Sequence, residues 1–347
     1  DMVKSMLSIY DESGWLPKWE LNATETTTMV GDPAGIVIAD TYLRGIQDFD
    51  IEKAYRAMIK SATQIEKNAL RPGIKEYTEK GYLTTASTKS GSVSTTQEYN
   101  TSDFAIAQLA KVLGKKEDEK FYRERSISYR KLFDKEFNLL RPKDKDDLWI
   151  TPFNPETGAN FQKNLGFIEG NSWQYTFMLA HDAKGLINLM GGEEVYSKQL
   201  QKVFNIGQFD MANEPDIGYP YLFNFVKGEE WRTQEKVSKL INQYFKNTPE
   251  GLPGNDDTGT MSAWLIYSMM GIYPISPAEP SYTITRPVFD KITIQLDSKY
   301  YKNKQLIIEK KGQGKINKIQ INGKTIKSYF ISHASLVNGY NLKINLQ

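Results

Sequence analysis

Cysteine is absent from this 347-residue sequence, and histidine occurs only as His181 and His333. Without thiols, disulfides, thiolate nucleophiles and thiolate metal centres are excluded. Two widely separated imidazoles do not make a zinc or copper site, so a functional metal has to be a hard cation held by oxygens, calcium foremost. Also missing is any apolar run near the roughly 20 residues that a membrane-spanning helix needs. Neither charge dominates: 44 Lys and Arg stand against 42 Asp and Glu. With no dense basic stripe, neither a nucleic-acid footprint nor a polyanionic substrate is indicated. The opening Asp1-Met2-Val3-Lys4 shows no charged n-region, apolar h-region or cleavage site, so the chain reads as a mature form or an excised fragment.

What is present is ordinary for a folded chain, with 39% hydrophobic and 25% charged residues. Rings are plentiful, including 20 Tyr and 6 Trp. Such side chains stack on sugar faces, although most belong to a core. The length suits one large domain plus a smaller one.

Helical periodicity dominates the first three quarters. Ile51, Ala54, Tyr55, Met58 and Ile59 share a face behind Asp50, a suitable N-cap. A second helix is expected from Thr101-Ser102 through Phe104, Ile106, Leu109, Ala110 and Leu113 to Gly114. Further helices are read over 117–138, 172–190, 230–246 and, as a buried one, 260–271. Near Pro274 the period changes from about 3.6 to 2: Ile292, Ile294 and Leu296 alternate with polar residues, and Asn322-Gly323 signals a hairpin. A mainly α class is expected, with a catalytic-type helical domain over 1–274 and a β-strand-rich unit over 275–347. The loops between helix pairs are the places for chemistry.

Four such loops are dense in polar, aromatic and glycine residues: Gly14-Trp15-Leu16-Pro17-Lys18-Trp19-Glu20, Ile168-Glu169-Gly170-Asn171 running into Ser172-Trp173-Gln174-Tyr175, Asn213-Glu214-Pro215, and Gly251-Leu252-Pro253-Gly254-Asn255-Asp256-Asp257-Thr258-Gly259. Three adjacent acceptors in the last crowd together unless a cation or substrate engages them. An Asx-rich turn capping the helix at 260 is the plainer alternative. Glu169 lies beside Trp173, and a carboxyl against an indole tends towards a raised pKa, as a general acid requires. A helix-capping carboxylate is its alternative. Asn213-Glu214 reads equally as a loop fixed by Pro215, and His181-Asp182 as a structural hydrogen-bonded pair.

Taken together and in this order, these segments resemble glycoside hydrolase family 92, the bacterial exo-α-mannosidases. The likeness runs through Gly14-Trp15-Leu16-Pro17 with Glu25 and Met29-Val30-Gly31, and Ala39-Asp40-Thr41-Tyr42. It continues through Glu169-Gly170 with Trp173-Gln174-Tyr175, His181-Asp182, Asn213-Glu214-Pro215, and Pro253-Gly254-Asn255-Asp256-Asp257 leading to Met261-Ser262-Ala263-Trp264. The resemblance implies an (α/α)6 toroid, closed or left open at its first hairpin, with a smaller C-terminal β-rich unit. By motif position, Glu169 looks like the general acid and Asp257 like the base that activates water, supported by Asn255 and Asp256. Inversion requires those carboxyls roughly 6.5–9.5 Å apart. A calcium ion on the mannose O2 and O3 is implied, with Asn213 and Glu214 as its candidate ligands. Trp15, Trp19, Glu25, Trp173 and Gln174 are candidates for the sugar subsite.

Retention of Glu169 favours an ordinary glycosidic linkage over mannose-1-phosphate, with an α-1,2 linkage the first expectation and a mannose-containing glycan the substrate. Where many relatives carry an acid, this chain has Asn255. The family normally has an N-terminal β-sandwich ahead of Gly14, which is the expected partner from the same polypeptide, and its members are usually secreted or held at the cell surface. The competing class is a non-catalytic carbohydrate-binding or scaffold fragment, for which Glu169 and Asp257 would not converge. A polysaccharide lyase would want Tyr, His or Arg as its base, where these loops carry carboxylates.

Overall fold

Asp50 begins its helix as its position suggests, its carboxylate accepting the Lys53 N–H at 2.9 Å. The helix behind it, α3 (Ile51–Thr63), buries Ala54, Tyr55, Ala57, Met58 and Ala62. The computed structural model describes residues 1–88, 91–158 and 164–347, and its contacts divide the chain into two units, Asp1–Gln208 with Pro277–Glu279 and Phe209–Ser276 with Pro280–Gln347. The mainly α class with a strand-rich C-terminal portion is the class observed. Secondary structure does change character beside Pro274, but the contacts separate at 208/209.

In the first unit, α1 (Met2–Ser13), the short hairpin β1 (Glu20–Leu21) and β2 (Thr24–Glu25), and α2 (Pro33–Leu43) precede α3. After α4 (Ile74–Lys80) comes the centre of the unit, α5 (Ser92–Val112), which is buried almost all round. Its small residues Ala105, Ala107 and Ala110 let α2, α3 and α6 (Lys116–Arg125) approach closely. The expected start at Thr101 was nine residues late, because the first half of α5 buries Ser, Thr, Gln and Asn where an apolar stripe would be sought. Asn100 is satisfied internally, donating to Tyr77, Ser128 and the Arg125 carbonyl and accepting the Tyr129 N–H, whereas Ser92 Oγ, Gln97 Oε1 and Ser102 Oγ have no partner among the described residues. One turn on, Asp103 accepts from Arg71, Arg125 and the Tyr77 hydroxyl at 2.6–2.8 Å.

The hairpin β3 (Phe133–Asp134) and β4 (Leu139–Leu140) replaces the end of the helix expected over 117–138. The helix expected over 172–190 is likewise broken into α7 (Ser172–Thr176), a 3-10 turn and α8 (Ala183–Met190), and is followed by α9 (Glu193–Asn205). His181 and Asp182 do not pair with each other. His181 stacks on Phe104 and bonds the Ser126 carbonyl, whereas Asp182 holds Arg130 and Tyr129.

The second unit carries α10 (Glu230–Tyr244), α11 (Thr260–Met270) and, after the strands begin, α12 (His333–Asn338). Gly271 ends α11 in the left-handed conformation. The helix is only partly buried, with Ile266 57% exposed. Strands β5 (Ile272–Tyr273), β6 (Ser281–Ile284) and β11 (Phe330–Ser332) form a three-stranded sheet in the order β11-β6-β5. A five-stranded sheet runs β10-β9-β12-β8-β7, built from β7 (Lys291–Gln295), β8 (Gln305–Lys311), β9 (Ile316–Ile321), β10 (Lys324–Ile326) and β12 (Asn341–Leu346). Its β9–β10 turn is the expected Asn322-Gly323, with φ of 48° and 80°, as a hairpin turn with both central residues left-handed requires.

Candidate active site

In the first unit the loop after α1 is tied down before it presents anything. Gly14 closes the helix with φ 78°, and the Lys60 amine donates to its carbonyl at 2.6 Å while lying 4.5 Å over the Trp15 ring. One face of Trp15 is therefore covered. Trp19 is different, being 44% exposed on the same loop.

Glu25 explains how that exposed ring is held. Its carboxylate accepts backbone N–H groups from Lys18 and Thr27 at 2.6 Å and from Trp19 at 3.1 Å, which engages both oxygens within its own loop. Against the rise that burial alone would cause, the N–H groups of Lys18, Thr27 and Trp19 keep the Glu25 carboxyl below its usual range. The structure thus makes Glu25 a positioning residue for Trp19. Because the folded pKa lies below the unfolded one, this contribution is present above the ordinary carboxylate range and lost as pH falls through the folded value. Glu25→Gln should loosen the loop by about 1 kcal/mol, below the roughly 1.5–3 kcal/mol of a sheltered charged hydrogen bond because solvent screens it. Limited proteolysis near residues 19–27 should then speed up at pH 7. Cleavage unchanged from the parent would count against the clamp.

Glu169 follows a residue whose N–H and carbonyl are both held. The Ile168 N–H donates to Ser94 on α5 at 3.0 Å, and the Ile168 carbonyl accepts the Tyr175 hydroxyl at 2.7 Å. Only a glycine fits at residue 91, since a Cβ there would lie 2.3 Å from Ile168. Glu169 itself has φ 46°, a conformation that an L-residue with a long side chain rarely adopts. It does not cap α7. That task falls to Asn171, whose side chain accepts the N–H groups of Trp173 and Gln174 at 3.0 and 3.1 Å. Trp173 and Gln174 are each 4% exposed, and the Lys202 amine sits 4.9 Å over the Trp173 ring. A Cβ on Gly170 would stand 3.4 Å from Gln174 Oε1, so Gln174 lies against the Glu169 loop.

The second unit holds the other two loops together. A Cβ on Gly254 would stand 3.0 Å from the Ala212 side chain, so the 251–259 loop lies directly on the 210–216 loop. Asp216 accepts the Asp210 N–H at 2.8 Å, and the Trp264 indole donates to the Ile217 carbonyl at 2.9 Å, anchoring the turn to α11. Asp256 accepts the Ser262 N–H at 2.8 Å, the capping contact that the plainer reading of this turn expects. Its neighbour Asp257 is exposed with φ 46°, followed by Thr258 at 56° and Gly259 at 95°. Asn255 and Glu214 are exposed and Asn213 is half-buried.

For calcium, the donor chemistry fits: the Asn213 amide oxygen and Glu214 carboxylate are hard ligands on a loop that solvent reaches. Among the described residues no three Asp, Glu or His side chains gather into a metal cluster. A calcium ion here would complete its six to eight oxygens with backbone carbonyls, water and substrate hydroxyls.

Sequence reasoning missed Asp32, Arg71, Asp103 and Arg125, the buried charges of the first unit. Asn171 was legible as an N-cap, standing directly before Ser-Trp-Gln. The charges were not, because Arg71 and Asp103 are 32 residues apart and nothing local marks them as partners.

Comparison with known proteins adds an independent finding. The model of the Glycosyl hydrolase family 92 catalytic domain matches residues 1–347. An uncharacterized secreted glycosidase of Arthroderma benhamiae is 27% identical over 385 residues, which cover 100% of this chain and 49% of that protein. A family GH92 alpha-mannosidase of Bacteroides thetaiotaomicron, solved with mannoimidazole, superposes with a TM-score of 0.91 at 31% identity, covering 100% of this chain and 48% of its own. A family GH92 inverting mannosidase from the same species gives 0.87 at 26% identity, covering 99% and 49%. These likenesses show the (α/α)6-type fold expected above. The chain spans about half the length of the relatives it matches.

Proposed function

Because this chain belongs to glycosyl hydrolase family 92, we propose that it carries the acid and base of a calcium-dependent exo-α-mannosidase that releases terminal α-linked mannose with inversion. The supporting observation is backbone strain at the two carboxylates concerned. Of the Asp and Glu residues described, only Glu169, Asp257 and Asp147 have positive φ, and the first two are the carboxylates that stand in the family's motif loops. Strained backbone that the surroundings hold in place concentrates at functional sites.

In this reading Glu169, protonated, gives its proton to the glycosidic oxygen as the bond to C1 breaks. Asp257, ionised, takes a proton from the water that attacks C1 from the opposite face. Glu169 ends deprotonated and Asp257 protonated, and solvent restores both. Trp19, held by Glu25, offers an apolar face to a sugar ring. Asn213 and Glu214 would hold the calcium ion, which when bound supplies an oxygen-seeking positive centre for vicinal sugar hydroxyls. An α-1,2-linked mannose in a glycan is the proposed substrate and secretion or surface attachment the proposed location. An N-terminal β-sandwich of the same polypeptide is the proposed partner.

Mannose release from the α-mannobiose isomers, with calcium or with EDTA, tests this reading on the intact protein. The expected result is release from the α-1,2 isomer at least about 100-fold faster with calcium, the order a transition-state contact supplies, with β-mannose as the first product by NMR. Retained α-mannose, or release indifferent to EDTA, would overturn it. Binding without release would favour the carbohydrate-binding alternative.

A further inference from the structure

Behind the Trp19 loop, Leu16 and Pro17 close a small cavity over Gly35, Met58 and Ile106. Three polar side chains that line it are almost wholly buried: Asp32 at 7%, Arg71 at 0% and Ser102 at 3% exposed. One atom of each, Asp32 Oδ1, Arg71 Nη2 and Ser102 Oγ, has no hydrogen-bond partner among the described residues. The remaining groups of the charged pair are engaged, with Arg71 Nε on Asp32 Oδ2 at 2.9 Å and Nη1 on Asp103 at 2.8 Å. Asp32 stands at the N-cap of α2 yet makes no side-chain capping bond. Its second oxygen is left to the cavity. Isolated orphans of this kind occur elsewhere among the described residues, but here three line one cavity, and grouped orphans call for an unplaced partner.

What fits there follows from size and charge. The space is that of a water-sized molecule, too small for a sugar. A cation would meet the Arg71 guanidinium and an anion the Asp32 carboxylate, so the occupant is neutral and both donates and accepts. We infer that one internal water molecule is a fixed part of this unit, accepting from Arg71 Nη2, donating to Asp32 Oδ1 and bonding Ser102 Oγ. Buried waters typically make about three such bonds. This one joins the turn before α2, the segment before α4 and the middle of α5, and it underpins the loop of Leu16 and Pro17 that carries Trp19 outward.

The test is a crystal structure of the intact protein that shows ordered solvent, together with thermal unfolding of Ser102→Ala and Ser102→Val. One density peak is expected within hydrogen-bond reach, roughly 2.7–3.2 Å, of all three atoms. Ser102→Ala should keep the water on its two charged partners. Ser102→Val should evict it and strand Asp32 and Arg71, melting at least about 2 °C below Ser102→Ala despite its two extra methyl groups. A dry cavity gives the opposite order, because added methyls fill it. An empty cavity in the crystal, direct pairing of the three atoms, or Ser102→Val as stable as Ser102→Ala would each overturn the inference.

Discussion

Glu169→Gln and Asp257→Asn should each lower mannose release by about 10²–10⁴-fold, the range that a positioned general acid or base contributes. Both are near-isosteric, and neither side chain is fully buried, so folding should survive. The two losses should differ in kind. An activated leaving group such as a nitrophenolate departs without help, so it should restore much of the Glu169→Gln rate and none of the Asp257→Asn rate. External azide should rescue Asp257→Asn in part by replacing activated water as nucleophile. Equal losses with every leaving group would remove Glu169 from the acid role.

Asp103→Ala should be the most damaging single substitution away from the candidate site. Asp103 is wholly buried and joins Arg71 to Arg125, with the Tyr77 hydroxyl as a fourth group. Burial alone would raise its pKa, but Arg125 and then Arg71 overcome that and hold the carboxyl below its usual range. Removing it leaves two guanidinium groups buried without their shared counter-ion, which costs about 3–5 kcal/mol. A native state stable by only about 5–15 kcal/mol cannot lose that unnoticed. Urea unfolding at pH 7 should show a large fall in midpoint with little change of slope. The parent protein supplies the companion test. With the folded pKa below the unfolded one, the Asp103 contribution should be level from pH 7 to about 4.5 and decline as pH drops through the folded value. A fall of under about 1 kcal/mol in Asp103→Ala would mean that solvent reaches the guanidiniums and that the network adds little.

The contrast between α3 and α5 shows why the sequence was readable in one place and opaque in another. In α3 the apolar positions repeat at helical spacing and Asp50 supplies its own cap, so local signals coincide with the tertiary outcome. The first half of α5 is as deeply buried but is built from Ser, Thr, Gln and Asn. Thr95, Thr96 and Thr101 bond carbonyls of their own turn, but Asn100 and Asp103 are held by distant partners that cannot be enumerated along a chain. The end of α7 at Thr176 is similar: no glycine or proline stops it there. Gln97 from α5 donates to the Tyr175 carbonyl at 2.7 Å, and Thr176 Oγ1 accepts the Leu140 N–H at 3.0 Å. A side chain from α5 and the backbone of β4 hold that end of the helix.

Of the candidate site, the residue types and their loops were legible while the division of labour was not. Glu25 and Asp256 accept backbone N–H groups of their own segments, and Trp173 and Gln174 are buried, arrangements that residue identity alone does not announce. Glu169 and Asp257 are distinguished by positive φ, which neither residue's identity announces. By itself the amino-acid order determined the family, the mainly α class and the hairpin at Asn322-Gly323, because motif spacing, composition and turn preference are local properties. Only the tertiary structure decided which carboxylates face outward, which polar groups are buried, and that contacts divide at 208/209, because each depends on partners that folding brings from far along the chain.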